Sequence, residues 1–174
     1  MNEVELMQSV ASGDVHSIRI LLDVHYDAIF RLLRHLSGNR EDAEDLTQDV
    51  FLTARIKGAA FSGQASIRTW LTRIAVNAHG KYLRRERLRR ICHLSQVRPQ
   101  HHIETMLDAE WLLDGLRRLT TQHQITILLH DVHGFTVPEV AAITGSPEGT
   151  VKARLHYARK RLQQILICPN QEMK

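Results

Sequence analysis

A chain of 174 residues with 43% hydrophobic residues can bury a core and has room for one medium domain or two small ones. Its formal charge of +4 is modest, so the distribution of charge matters more than the total. No run approaches the roughly 18 uncharged apolar residues of a membrane helix, and the acidic start Met1-Asn2-Glu3-Val4-Glu5 is not a signal peptide. Cys92 and Cys168 stand far apart without a disulfide framework. These features predict a cytoplasmic protein with no stable membrane insertion.

Prolines are few and a 3.6-residue apolar period recurs throughout, which predicts an all-α fold. A first helix is expected from about Val4 to Ser12. A second runs from Val15 to Ser37 with Ile18, Leu21, Leu22, Ile29, Leu32, Leu33 and Leu36 inward and Gly38 as terminator. Asn39 can cap a third, from Glu41 to about Lys57, whose apolar stripe is Ala43, Leu46, Val50 and Ala54. Another face repeats Asp42, Asp45 and Asp49 at spacings of three and four, flanked by Gln48. Acids in the first turn favour the helix dipole, which accounts for Asp42 but poorly for Asp49, since that effect fades after one turn. A solvated, well-capped helix start and a docking face for a basic protein partner both remain open.

Residues 58–65 read as a small-residue loop around Phe61. Ser66 can cap the next helix, which runs to about Arg90 with Trp70, Leu71, Ile74, Ala75, Ala78 and Tyr82 on its buried side. Its far end carries Lys81, Arg84, Arg85, Arg87, Arg89 and Arg90 against Glu86 alone, a surface suited to phosphate. Residues 91–106 break the helical pattern and read as a flexible linker. Cys92-His93 and His101-His102 lack the paired spacing of a zinc site, so no metal is expected.

A second helical unit follows: a helix from Leu107 to about Leu119, another from Thr121 to about His133 with Ile125, Leu128, Leu129 and Val132 facing the core, and Gly134 to end it. The next stretch is a helix-turn-helix. Thr136 and Glu139 form a capping box, Gly145 is a left-handed terminator, Ser146 caps the second helix and Pro147 takes its first position. Val151, Leu155, Ala158 and Leu162 make its apolar stripe. The other faces carry Lys152, Arg154, Arg159, Lys160 and Arg161, with no acid between Gly149 and Cys168, as a helix that enters a major groove requires. There is no phosphate-cradling glycine loop, nucleophile motif or HExxH, so neither enzymatic activity nor a cofactor is expected.

Three stretches in order, 41-EDAEDLTQDVF-51, 69-TWLTRIAVN-77 and 149-GTVKARL-155, resemble the sigma subunits of bacterial RNA polymerase, in the compact extracytoplasmic-function (ECF) branch. The resemblance implies two small helical domains joined by a flexible linker: residues 1–90 for polymerase docking and minus-ten recognition and melting, 91–106 as linker, and 107–168 as the helix-turn-helix domain for the minus-thirty-five element. It implies that Asp42, Asp45, Gln48 and Asp49 meet the clamp helices of the largest subunit of core RNA polymerase. Phe61, Ser62, Ser66 and Asn77 would lie where a flipped minus-ten base is captured, and Lys81, Arg84 and Arg85 would hold phosphates of that region. Thr150, Lys152, Ala153, Arg154 and His156 would lie nearest the minus-thirty-five duplex, with Arg159 and Lys160 on phosphate. The implied partners are core polymerase, double-stranded and melted promoter DNA, and the anti-sigma factor that often restrains members of this branch.

Overall fold

The structure, a computed structural model, describes residues 2–91 and 115–167. Among these residues there is no strand. The chain divides into two compact units, with the division between Ile103 and Glu104. The expected linker and the helix expected from Leu107 fall largely outside the described residues, as does the tail beyond Ile167.

The first unit holds α1 (Glu3–Ser12), α2 (Val15–Ser37), α3 (Arg40–Lys57), a 3-10 turn (Gly58–Ala60) and α4 (Ile67–Ile91). Each start has a local cause. Asn2 and Glu5 make a capping box on α1, Asp14 accepts from Ser17 N at 2.8 Å, and Asn39 accepts from Glu41 N at 2.8 Å. Gly13 and Gly38, at φ 89° and 71°, take the left-handed conformation that ends α1 and α2. Helix α2 packs against α1, α3 and α4, and α3 against α4. The core is built from Met7, Val10, Leu21, Leu32, Leu33, Val50, Ile67 and Leu71, each contributing about 2 kcal/mol by leaving water. Ala43, Leu46, Val50 and Ala54 are all buried, as the stripe on α3 predicts, whereas Ile18 and Leu22 are only half-buried.

Helix α1 seats the segment that leads into α4. The Glu3 carboxylate accepts from Ile67 N at 3.2 Å, and a Cβ added at Gly58 would lie 2.7 Å from the Met7 carbonyl oxygen.

In the second unit residues 115–117 are helical, followed by α5 (Thr121–Ile127), a π turn (Leu128–Val132), α6 (Val137–Thr144) and α7 (Glu148–Ile167). Two expectations are corrected. Val132 was expected in the core but is 55% exposed. The π turn, closed by His133 N donating to Leu128 O at 2.9 Å, takes in one extra residue and rotates Val132 away from the side that buries Leu128 and Leu129. Helix α7 also begins one residue later than expected: Pro147 O accepts from Val151 N, and Ser146 Oγ accepts from Arg154 Nη1 at 2.8 Å. The Thr136–Glu139 capping box and the left-handed Gly145, at φ 65°, are present. Val151, Leu155 and Ala158 pack into the core with Val140 and Ile143 of α6.

Candidate nucleic-acid and partner interfaces

On α3 the acids lie roughly opposite the buried stripe. Asp45, Gln48 and Asp49 are exposed. Asp42 is half-buried, and its Oδ2 accepts from Tyr82 Oη at 2.9 Å, tying the start of this face to α4. The same face continues at spacings of three and four into Leu52 and Ile56, the latter 80% exposed. Sequence reading missed both; their signal was an apolar pair lying off the Ala43–Ala54 stripe.

The loop before α4 is anchored from below. Phe61 is buried with its ring edge-on to Trp70, centroids 5.4 Å apart, so it shapes the loop while Ser62 and Gln64 are exposed around it. Ser66 Oγ accepts from Thr69 N at 3.2 Å and donates to Thr69 Oγ1 at 3.0 Å, which fixes the first turn of α4. Asn77, Lys81 and Arg84 are exposed at spacings of four and three, with Arg85 beside them. Arg73, one turn before Asn77 and also exposed, extends this strip and was missed by the sequence reading, although its i−4 spacing marked it. Arg89 is paired with Glu86 at 2.7 Å.

In the second unit a groove of about 690 Å³ runs beside α7, lined by His130 of the π turn, Val137 of α6, and Lys152, His156, Arg159, Lys160 and Gln163 of α7. Lys152, His156 and Lys160 are exposed along it. Arg159 is engaged: its Nε and Nη2 donate to the two carboxylate oxygens of Asp131 at 3.0 and 2.6 Å. Those hydrogen bonds hold its guanidinium pKa above the ordinary value. Thr150, Ala153 and Arg154 are not among the walls of this groove. Thr150 and Arg154 are half-buried, Arg154 being held by Ser146, and Ala153 is exposed. The structure thus lines one groove with Lys152, His156, Arg159 and Lys160 and leaves Thr150, Ala153 and Arg154 out of its walls.

Comparison with known proteins bears on both units. Residues 21–89 match the family model for Sigma-70 region 2, and residues 109–162 that for Sigma-70, region 4. The ECF RNA polymerase sigma factor SigM of Mycobacterium tuberculosis is 31% identical over 169 residues, spanning 95% of this chain and 85% of that protein. Among solved structures, the sigma factor RpoE from Bartonella quintana, in complex with the anti-sigma factor NepR, aligns with a TM-score of 0.71 at 27% identity, covering 90% of this chain and all of that one. CnrH, solved with the cytosolic domain of CnrY, aligns at 0.72 with 25% identity, covering 95% and 97%. SigM and RpoE are sigma factors, which are not enzymes, and no helix among the described residues is long and apolar enough to cross a membrane. With the two region matches in chain order and a relative aligned over nearly its whole length, the chain belongs to the ECF sigma factors, which bind RNA polymerase and direct promoter-specific transcription initiation.

Proposed function

We propose that this chain is a cytoplasmic, non-enzymatic specificity subunit that docks on the clamp helices of core RNA polymerase through Asp42, Asp45, Gln48 and Asp49. The observation that carries the reading is the exposure of Asp45, Gln48 and Asp49 well past the first turn of α3, where the helix dipole no longer rewards acids. An acidic face in a chain of net positive charge repels nucleic acid and suits a basic protein surface.

The loop from Phe61 to Ser66 and Asn77 take a flipped base of the minus-ten element, with Phe61 as the buried support and Ser62 at the surface. Unstacking a base costs a few kcal/mol, offset by pocket contacts to its exposed edge. Lys81, Arg84 and Arg85 hold the neighbouring phosphates. The helix-turn-helix reads the minus-thirty-five duplex, with Lys152, His156 and Lys160 on the groove side of α7 and Thr150, Ala153 and Arg154 on its flank. Two weak DNA contacts on one chain bind a correctly spaced promoter more tightly than either alone. An anti-sigma protein is a further partner, by likeness to RpoE, which was solved with one.

The test is charge reversal at the docking face. Asp45→Lys with Asp49→Lys should abolish comigration with core RNA polymerase on gel filtration and leave the far-UV circular dichroism unchanged. Comigration at parental strength would show that α3 is not the docking face.

A further inference from the structure

We propose that Arg159 is a positioning residue of the DNA-reading helix and not a phosphate contact, its partner Asp131 being delivered by the π turn. This rests on α7 being the helix that reads DNA.

The geometry of the pair is the first support. Arg159 presents two N–H groups of one guanidinium edge to both oxygens of Asp131, the bidentate arrangement that gives direction as well as attraction. That edge would otherwise fork a phosphate. The pair as a whole is also neutral, so it displaces no counterion when DNA approaches. Lys152 and Lys160, in contrast, are exposed on the same groove and pair with no carboxylate among the described residues.

The π turn supplies the second, independent support. An uninterrupted α5 would carry Val132 onto the side that buries Leu128 and Leu129. The extra residue instead leaves Val132 in water, an unfavourable outcome for the turn taken alone, and sets Asp131 beneath α7 at the level of Arg159. π turns inside helices are frequent at functional positions. The pair ties the π turn to α7 between His156 and Lys160, so together with the buried Val151, Leu155 and Ala158 it holds the rotation of α7 about its own axis. One residue of helical rotation is about 100°, enough to exchange one set of DNA-facing side chains for another. His130 is the other titratable group of this turn, its Nδ1 3.8 Å from Asp131 Oδ1.

The experiment uses holoenzyme reconstituted from core polymerase and the full chain. Its probe is a promoter fragment selected from a random-sequence pool by the parent holoenzyme, compared with a random duplex of equal length. A pool that yields no sequence enriched over core alone would overturn the promoter reading itself, at a step before this inference is reached. Arg159→Gln should leave the slope of log affinity against log salt unchanged, whereas Lys160→Gln should lower it by about 0.9, the share of one phosphate contact. Asp131→Asn and Arg159→Gln should each reduce preference for the promoter by about fivefold, the upper range for an exposed pair. The double variant should lose no more than either single one, and Asp131→Glu should retain most of the preference. A slope lowered by about 0.9 in Arg159→Gln, together with tighter binding by Asp131→Asn, would make Arg159 a phosphate ligand and overturn the inference. Unchanged promoter preference in Asp131→Asn would overturn it as well. Circular dichroism of all variants checks that the unit remains folded.

Discussion

Mild acid should destabilise the N-terminal unit before its carboxylates are protonated, and His79 is the reason. It sits on α4 with 1% of its surface exposed, its ring stacked 6.1 Å from that of Tyr82. Burial pushes its pKa from 6.5 down to about 4. The unfolded chain therefore takes a proton near pH 6.5 that the folded chain refuses until about pH 4. The stability that depends on neutral His79 is fully present above pH 6.5 and is lost as pH falls towards 4, at up to about 1.4 kcal/mol per pH unit. Between pH 6.5 and 4.5 the loss comes to about 2 kcal/mol, a large share of the 5–15 kcal/mol typical of a domain. Burial also lowers the pKa of His25 and His35, which adds loss of the same sign. Asp14, held low by its hydrogen bonds with Ser17, acts only at lower pH. Urea unfolding followed by Trp70 fluorescence, in a background with Trp111→Phe, reports on this unit alone. Its stability should fall across that window, and His79→Leu should flatten the fall. A parent with no pH dependence there, or a His79→Leu variant with the same slope, would refute the reasoning.

Two glycine substitutions separate steric from conformational cost. Gly58→Ala should destabilise the first unit by about 2 kcal/mol, because its Cβ would lie 2.7 Å from the fixed Met7 carbonyl oxygen; thermal unfolding of the full chain would show it, and an unchanged transition would contradict the close approach. Gly145→Ala meets no atom within 4 Å, but its φ of 65° is unfavourable for alanine, so the loss should be about 1 kcal/mol and confined to the second unit.

Local rules made much of the fold legible. Caps such as Asn39 and the Thr136–Glu139 box, and terminators such as Gly38 and Gly145, depend on residues a few positions apart, and each stands where its residue type demands. The buried stripe of α3 and, in α7, Val151, Leu155 and Ala158 follow from spacing alone, whereas Leu162, expected on the same stripe, is only half-buried. What escaped depends on partners far along the chain. Val132 is turned out by a π turn whose Asp131 meets Arg159, 28 residues on. Ser146 receives a hydrogen bond from Arg154 where a cap was expected, and Phe61 is buried because Trp70 receives it. Of the basic side chains expected at a DNA surface, spacing placed Lys152 and Lys160 on an exposed groove. It could not show that Arg154 and Arg159 are held by neighbours in other elements.

The most direct measurement is run-off transcription from a promoter selected out of a random pool, with purified core RNA polymerase and this chain, separately and together. Transcripts from a defined start only when both are present are the predicted result. A chain that forms a stable dimer, binds one DNA sequence tightly by itself and fails to comigrate with core polymerase would contradict the account.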